Sequence, residues 1–218
     1  MTSDVGGTIN ALAVGMVVVG IALSSARWTR HAVALVAFQS LLLGLVGLVM
    51  AFHTQRAHLF VGAALVLAVK AVCLPALIAM LVRKARASGE MPSAVPRSVG
   101  IALAALVSLV VIETFSGQPF TTPVGATRAL PAALALILLG LQTMMTRHHV
   151  IAQITGFLVI ENGMALAALT ATYGMPLVIE FGVLLDLLLA VIVAFVYSRR
   201  IQEEHGDLVT RVLRELRG

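Results

Sequence analysis

The sequence predicts an all-α integral membrane bundle of about seven transmembrane helices, with the N-terminus outside and the C-terminus inside. Three observations predict it. Of 218 residues, 60% are hydrophobic and 11% charged, whereas a soluble domain carries roughly 25% charged residues. Mean hydropathy is +1.02. Apolar runs near the length of a membrane span, about 20 residues, recur along the whole chain.

Seven segments qualify as spans: 5–25, 31–51, 59–82, 98–115, 129–146, 149–172 and 176–198. None has the alternating pattern of a barrel strand. The first makes a poor signal peptide, because its leading "MTSDVGG" is acidic rather than basic. Gly44 and Gly47 of the second span, with the alanine-rich faces along the chain, fit close helix packing. The third contains Pro75, five residues after Lys70, which removes an N–H donor and is expected to bend the helix. The connection "RKARASGEMPSAVPR" (83–97) reads as a linker from its Pro, Ser and Gly content. The stretch 116–127, before the fifth span, has the same character. After the seventh span comes the charged tail "IQEEHGDLVTRVLRELRG", where Leu208, Val212 and Leu216 recur at helical spacing. Such a helix either lies on the membrane surface or docks on a cytoplasmic subunit.

Orientation follows from lysine and arginine, which accumulate on the cytoplasmic side. With the N-terminus outside, the inner side receives Arg27, Arg30, Arg83, Lys84, Arg86, Arg97, Arg147 and the five arginines from Arg199 onward. The outer side receives only Arg56 and Arg128. An even number of spans would spoil this bias. The net charge of +5 therefore reflects arginine-rich inner loops and a lipid-bilayer environment, with no nucleic-acid partner implied.

Several chemistries are not expected. Cys73 is the single cysteine, so no disulfide or thiolate cluster can form within the chain. No Ser/His/Asp set or phosphate-cradling glycine loop occurs at useful spacing. His53 and His58, five apart near an outer turn, are a weak metal signal. No catalytic residue, metal site or cofactor site is expected in this chain.

The informative residues are charges inside apolar runs. Glu161 lies 12 residues into the sixth span, Asp186 10 into the seventh and Lys70 11 into the third. In antiparallel neighbours these depths coincide near the bilayer midplane, with Gln39 and Ser40 of the second span at a similar level. An ionisable residue at a helix centre costs about 2.5–3.5 kcal/mol, so three unpaired ones cost roughly 8–10 kcal/mol. Pairing, hydration or neutralisation must relieve that. Groups poised between charged and neutral forms are what a proton path needs, and Lys70, Glu161 and Asp186 are the candidates. The alternative is a static Lys70–carboxylate pair that fixes helix packing. Glu113 and Glu180 lie near the outer ends of their spans, as an entrance to the path or as wetted helix ends. His148 and His149, at an inner helix start, are expected to be solvated.

The stretches "TRHHVIAQITGFLVIENGMALAAL" and "YGMPLVIEFGVLLDLLLAVIVAFVYSRR", together with "KAVCLP", resemble hydrogenase-4 component E, a membrane subunit of formate hydrogenlyase-type complexes. The C-terminal part is also similar to the three-helix K subunit of bacterial complex I and to the C subunit of multisubunit sodium/proton antiporters. Those subunits carry acidic residues in two consecutive helices that help form a proton axis. Matching the asparagine at Asn162 puts the K-subunit glutamate at Leu158, with Glu161 about one turn further along. Matching the basic end "SRR" puts the second at Asp186. The chain then divides into a three-helix part with its linker (1–97), a fourth helix and outer loop (98–127), a K-subunit-like part (128–200) and the tail (201–218).

The resemblance implies the partners. These are other complex I-like membrane subunits, including antiporter-like ones, and a peripheral hydrogenase-like arm. It also implies iron–sulfur clusters in partner subunits and, where that arm keeps the hydrogenase metal site, nickel–iron. The setting it implies is a bacterial or archaeal cytoplasmic membrane. The expected function is a non-catalytic subunit contributing buried ionisable residues to a proton or ion path. A scaffold with a static ion pair is the alternative, and a free-standing transporter is less well supported because the halves show no clear repeat.

Overall fold

A computed structural model of the chain describes residues 2–84, 93–116, 125–147 and 149–172, with Gly182 and Ile192 described singly. All regular structure among them is helical. The helices are α1 (Thr2–Ser24), α2 (Thr29–Thr54), α3 (Ala57–Leu65), a π-helical segment (Val66–Cys73), α4 (Leu74–Lys84), α5 (Arg97–Ser116), α6 (Ala129–Thr146) and α7 (Val150–Thr172). α3, the π segment and α4 run on as one rod, so six spans are long and apolar enough to cross a membrane. Each agrees with an expected span to within a few residues. The seventh expected span, 176–198, lies outside the described residues apart from Gly182 and Ile192, and so do Glu180, Asp186 and the tail.

The π segment has a local cause in the sequence. Pro75 has no N–H to donate, and a proline ring crowds the carbonyl four residues back. Widening the preceding turns moves that carbonyl away, and the Leu74 N–H reaches back five residues to the Val69 carbonyl. The expected bend at Pro75 is thus realised as a change of helical register.

Helices in lipid gain little from burying apolar surface against one another, so close approach of small residues holds them together. α6 and α7 meet most closely. A Cβ placed on Gly140 would stand 2.5 Å from the Gly156 carbonyl oxygen, and one on Gly163 would stand 2.8 Å from that of Ala133. On α2, Gly44 accommodates Leu67 of the π segment and Gly47 accommodates Ala63. α2 packs against α1, the α3–α4 rod and α7, while α6 packs against α1, α5 and α7. Outward faces remain apolar and exposed, as at Leu106 and Leu109 of α5, as expected for lipid contact.

The arginine-bearing turns meet at one end of the bundle. Arg147, just after α6, is buried and donates to the Ser24 carbonyl at 2.8 Å and to the Ala26 carbonyl, both at the α1–α2 turn. The Ala94 N–H bonds the Thr146 carbonyl at 2.8 Å, bringing in the chain leading to α5. At the other end of α6, the Arg128 N–H bonds Asn10 Oδ1 at 2.9 Å.

Candidate functional site: a buried polar layer at mid-membrane

Two of the expected residues meet directly. Lys70 stands midway along the rod from Ala57 to Lys84, inside the π segment, and Glu161 stands at the midpoint of α7. Lys70 Nζ lies 3.0 Å from Glu161 Oε1, with the side chains only 5% and 4% exposed. Among the described residues, Glu161 Oε2 is buried and has no hydrogen-bond partner. The carboxylate is therefore asymmetric among the described residues, with Oε1 facing the ammonium and Oε2 turned away from it. A Cβ built on Gly182 would stand 3.7 Å from Glu161 Oε1, so Gly182 also comes close to this carboxylate. Its Asp186, four residues further along the sequence, lies outside the described residues.

A second set of contacts shares the layer. Gln39 Nε2 donates to the Met16 carbonyl of α1 at 3.0 Å. Asn162 Nδ2 donates to Gln39 Oε1 at 3.1 Å and to Ser40 Oγ at 3.2 Å. All three side chains are essentially inaccessible. Amide orientations follow from the network. A carbonyl can only accept, so Met16 draws the Gln39 NH₂, Gln39 Oε1 faces α7, and Asn162 must turn its own NH₂ toward α2. Asn162 Oδ1 then points elsewhere and, among the described residues, has no hydrogen-bond partner.

The remaining expectations lie elsewhere. Glu113 sits on the exposed face of α5 near its C-terminal end, away from the Lys70–Glu161 pair. His53 and His58 flank the α2–α3 turn, and no group of three or more His, Cys, Asp or Glu that could hold a metal ion forms among the described residues. Cys73 is exposed.

Three features escaped the sequence reading. The π register is signalled only by Pro75, five residues after Lys70. The Met16–Gln39–Asn162 relay is signalled by two amides inside apolar runs, which say nothing of their pairing. Arg147, expected on the inner side, is buried there, and burial lowers its pKa from the usual guanidinium value. An arginine remains charged even so, and its two carbonyl partners satisfy it.

Three curated relatives bear on the chain. It is 35% identical over 205 residues to the uncharacterized protein Rv0085 of Mycobacterium tuberculosis (strain ATCC 25618 / H37Rv), covering 93% of each. It is 32% identical over 138 residues to hydrogenase-4 component E of Escherichia coli (strain K12), covering 61% of this chain and 64% of that protein. The Shigella flexneri hydrogenase-4 component E matches to the same extent. No family model and no solved structure matches. The chain therefore belongs to one family with the mycobacterial protein Rv0085 and is a membrane-protein homologue of hydrogenase-4 component E over 61% of its length.

Proposed function

We propose that this chain is a non-catalytic membrane subunit of a hydrogenase-4 or complex I-like assembly, in which Lys70 and Glu161 take part in moving or electrostatically coupling protons. The observation that carries the reading is the Lys70–Glu161 pair, 3.0 Å apart, almost fully buried and near the middle of both its spans. Homology to hydrogenase-4 component E supports the kind of complex. A proton arriving at Glu161 Oε2 neutralises the carboxylate while Oε1 still faces the ammonium. That removes the negative charge 3.0 Å from the Lys70 ammonium and changes the net charge of the layer by one. Asp186 is proposed as the second acid of the layer.

The wider assignments rest on the same homology. The proposed partners are complex I-like membrane subunits, including antiporter-like ones, and a peripheral hydrogenase-like arm. Iron–sulfur clusters, and nickel–iron where that arm retains it, belong to those partners. The proposed location is the bacterial or archaeal cytoplasmic membrane.

A second reading draws on the directness of the same contact. A 3.0 Å pair is also what a static clamp between the third span and α7 would look like, making the chain a scaffold. Glu161→Gln separates the two. It keeps size and hydrogen bonding and removes the titratable charge. On the proton reading, the subunit is retained in membranes while proton uptake into reconstituted vesicles falls. On the scaffold reading, the clamp loses its carboxylate, removal of one partner of a buried pair costs about 3–5 kcal/mol, and subunit content falls. Normal content with unchanged uptake would sink the proton reading.

A further inference from the structure

A proton relay needs its partners held at a fixed separation, and the layer contains a device suited to that. Glu161 and Asn162 are consecutive on α7, so their side chains leave the helix about 100° apart. Asn162 is held by Gln39 and Ser40 of α2 at 3.1 and 3.2 Å, and Gln39 is itself held by the Met16 carbonyl of α1 at 3.0 Å. These bonds fix the rotation of α7 about its own axis.

One turn further along α2, Gly44 provides the seat for Leu67. A Cβ at Gly44 would fall 2.5 Å from Leu67 Cδ2, so the π segment bearing Lys70 lies directly on the helix that grips Asn162. α2 is thus the common reference for both members of the ion pair. The relay has a definite polarity because its first acceptor is a backbone carbonyl, which cannot exchange roles with a donor. Neither amide can flip without setting like against like: a flipped Gln39 would face the Met16 carbonyl with Oε1 and Asn162 Nδ2 with its own NH₂, and a flipped Asn162 would face Gln39 Oε1 with Oδ1.

We infer that Gln39 and Asn162 are positioning residues, which orient α7 through α2 so that Glu161 meets Lys70. This rests on the proposed role of the pair, and the experiment below distinguishes the failure of each idea. The probe is the infrared carboxyl or carboxylate band of Glu161, assigned as the band that Glu161→Gln removes, recorded on native membranes containing the assembled complex. Gln39→Met fills the same space with no hydrogen bond, and Asn162→Ser shortens the reach to α2.

The expected result is normal subunit content, a displaced Glu161 band in both variants, and proton uptake reduced roughly tenfold to a hundredfold, the scale of an ångström-level misplacement of reacting groups. Assembled variants with the band in its original place would overturn the inference, whatever uptake does. Loss of assembly in both variants would also overturn it, because the relay would then be a packing device. If Glu161→Gln leaves uptake unchanged, the proton reading fails, and the band still decides the positioning role.

Discussion

Replacing Gly140 by alanine should force α6 and α7 apart. The new Cβ would stand 2.5 Å from the Gly156 carbonyl oxygen, 2.6 Å from Ile160 Cγ1 and 3.0 Å from the Ile160 nitrogen. Two of these three are backbone atoms, so no rotamer change relieves them. Ordinary contact begins at 3.4 Å, so the helices must separate by about 0.9 Å along that line. The far side of α7 meets α2, where the Asn162 bonds of 3.1 and 3.2 Å resist the displacement. Overpacking of this kind typically costs about 1–3 kcal/mol. The control is Gly7→Ala, where nothing lies within 4 Å of the added Cβ. Both changes share the helix-forming advantage of alanine over glycine, roughly 0.5–1 kcal/mol, so their difference isolates the clash. The assay is unfolding of the detergent-solubilised protein by titration with a denaturing detergent. Gly140→Ala should unfold earlier than wild type, and Gly7→Ala no earlier. If the two variants behave alike, the close α6–α7 approach is not what holds these helices together.

Three further outcomes are expected. In a Cys73→Ala background, cysteine at Ser116 should react with an impermeant thiol reagent added outside and cysteine at Ser88 should not; the reverse labelling would invert the assigned sidedness. Pro75→Ala removes the ring and supplies an N–H, so the Val66–Cys73 segment should tighten toward α register. A nitroxide on Cys73, exposed and the single cysteine, should change mobility, and an unchanged spectrum would show that the proline does not set the register. Arg147→Met removes hydrogen bonds to the Ser24 and Ala26 carbonyls, each worth about 1.5–3 kcal/mol for a charged donor. It should lower the unfolding midpoint markedly, with Arg147→Lys in between because a single ammonium lacks the forked geometry that reaches both carbonyls.

The sequence alone determined the class of fold, because lipid accepts only helices or closed barrels and the apolar runs have helical length. It also determined which residues matter most. A charge at mid-span is so costly that Lys70 and Glu161 stand out without any structure, and counting residues from the span ends puts them at one depth. Depth is one-dimensional, however. Rotation about each helix axis is decided by which small residues allow neighbours to close, and those contacts are between helices distant in sequence. Only the tertiary structure therefore decided that Lys70 faces Glu161, that Asn162 faces Gln39 and Ser40, and that Arg147 turns inward to the α1–α2 carbonyls. The π register is of the same kind: Pro75 makes a continuous α-helix unfavourable, but the seat that Gly44 offers to Leu67 lies on another helix, where no local pattern could reveal it.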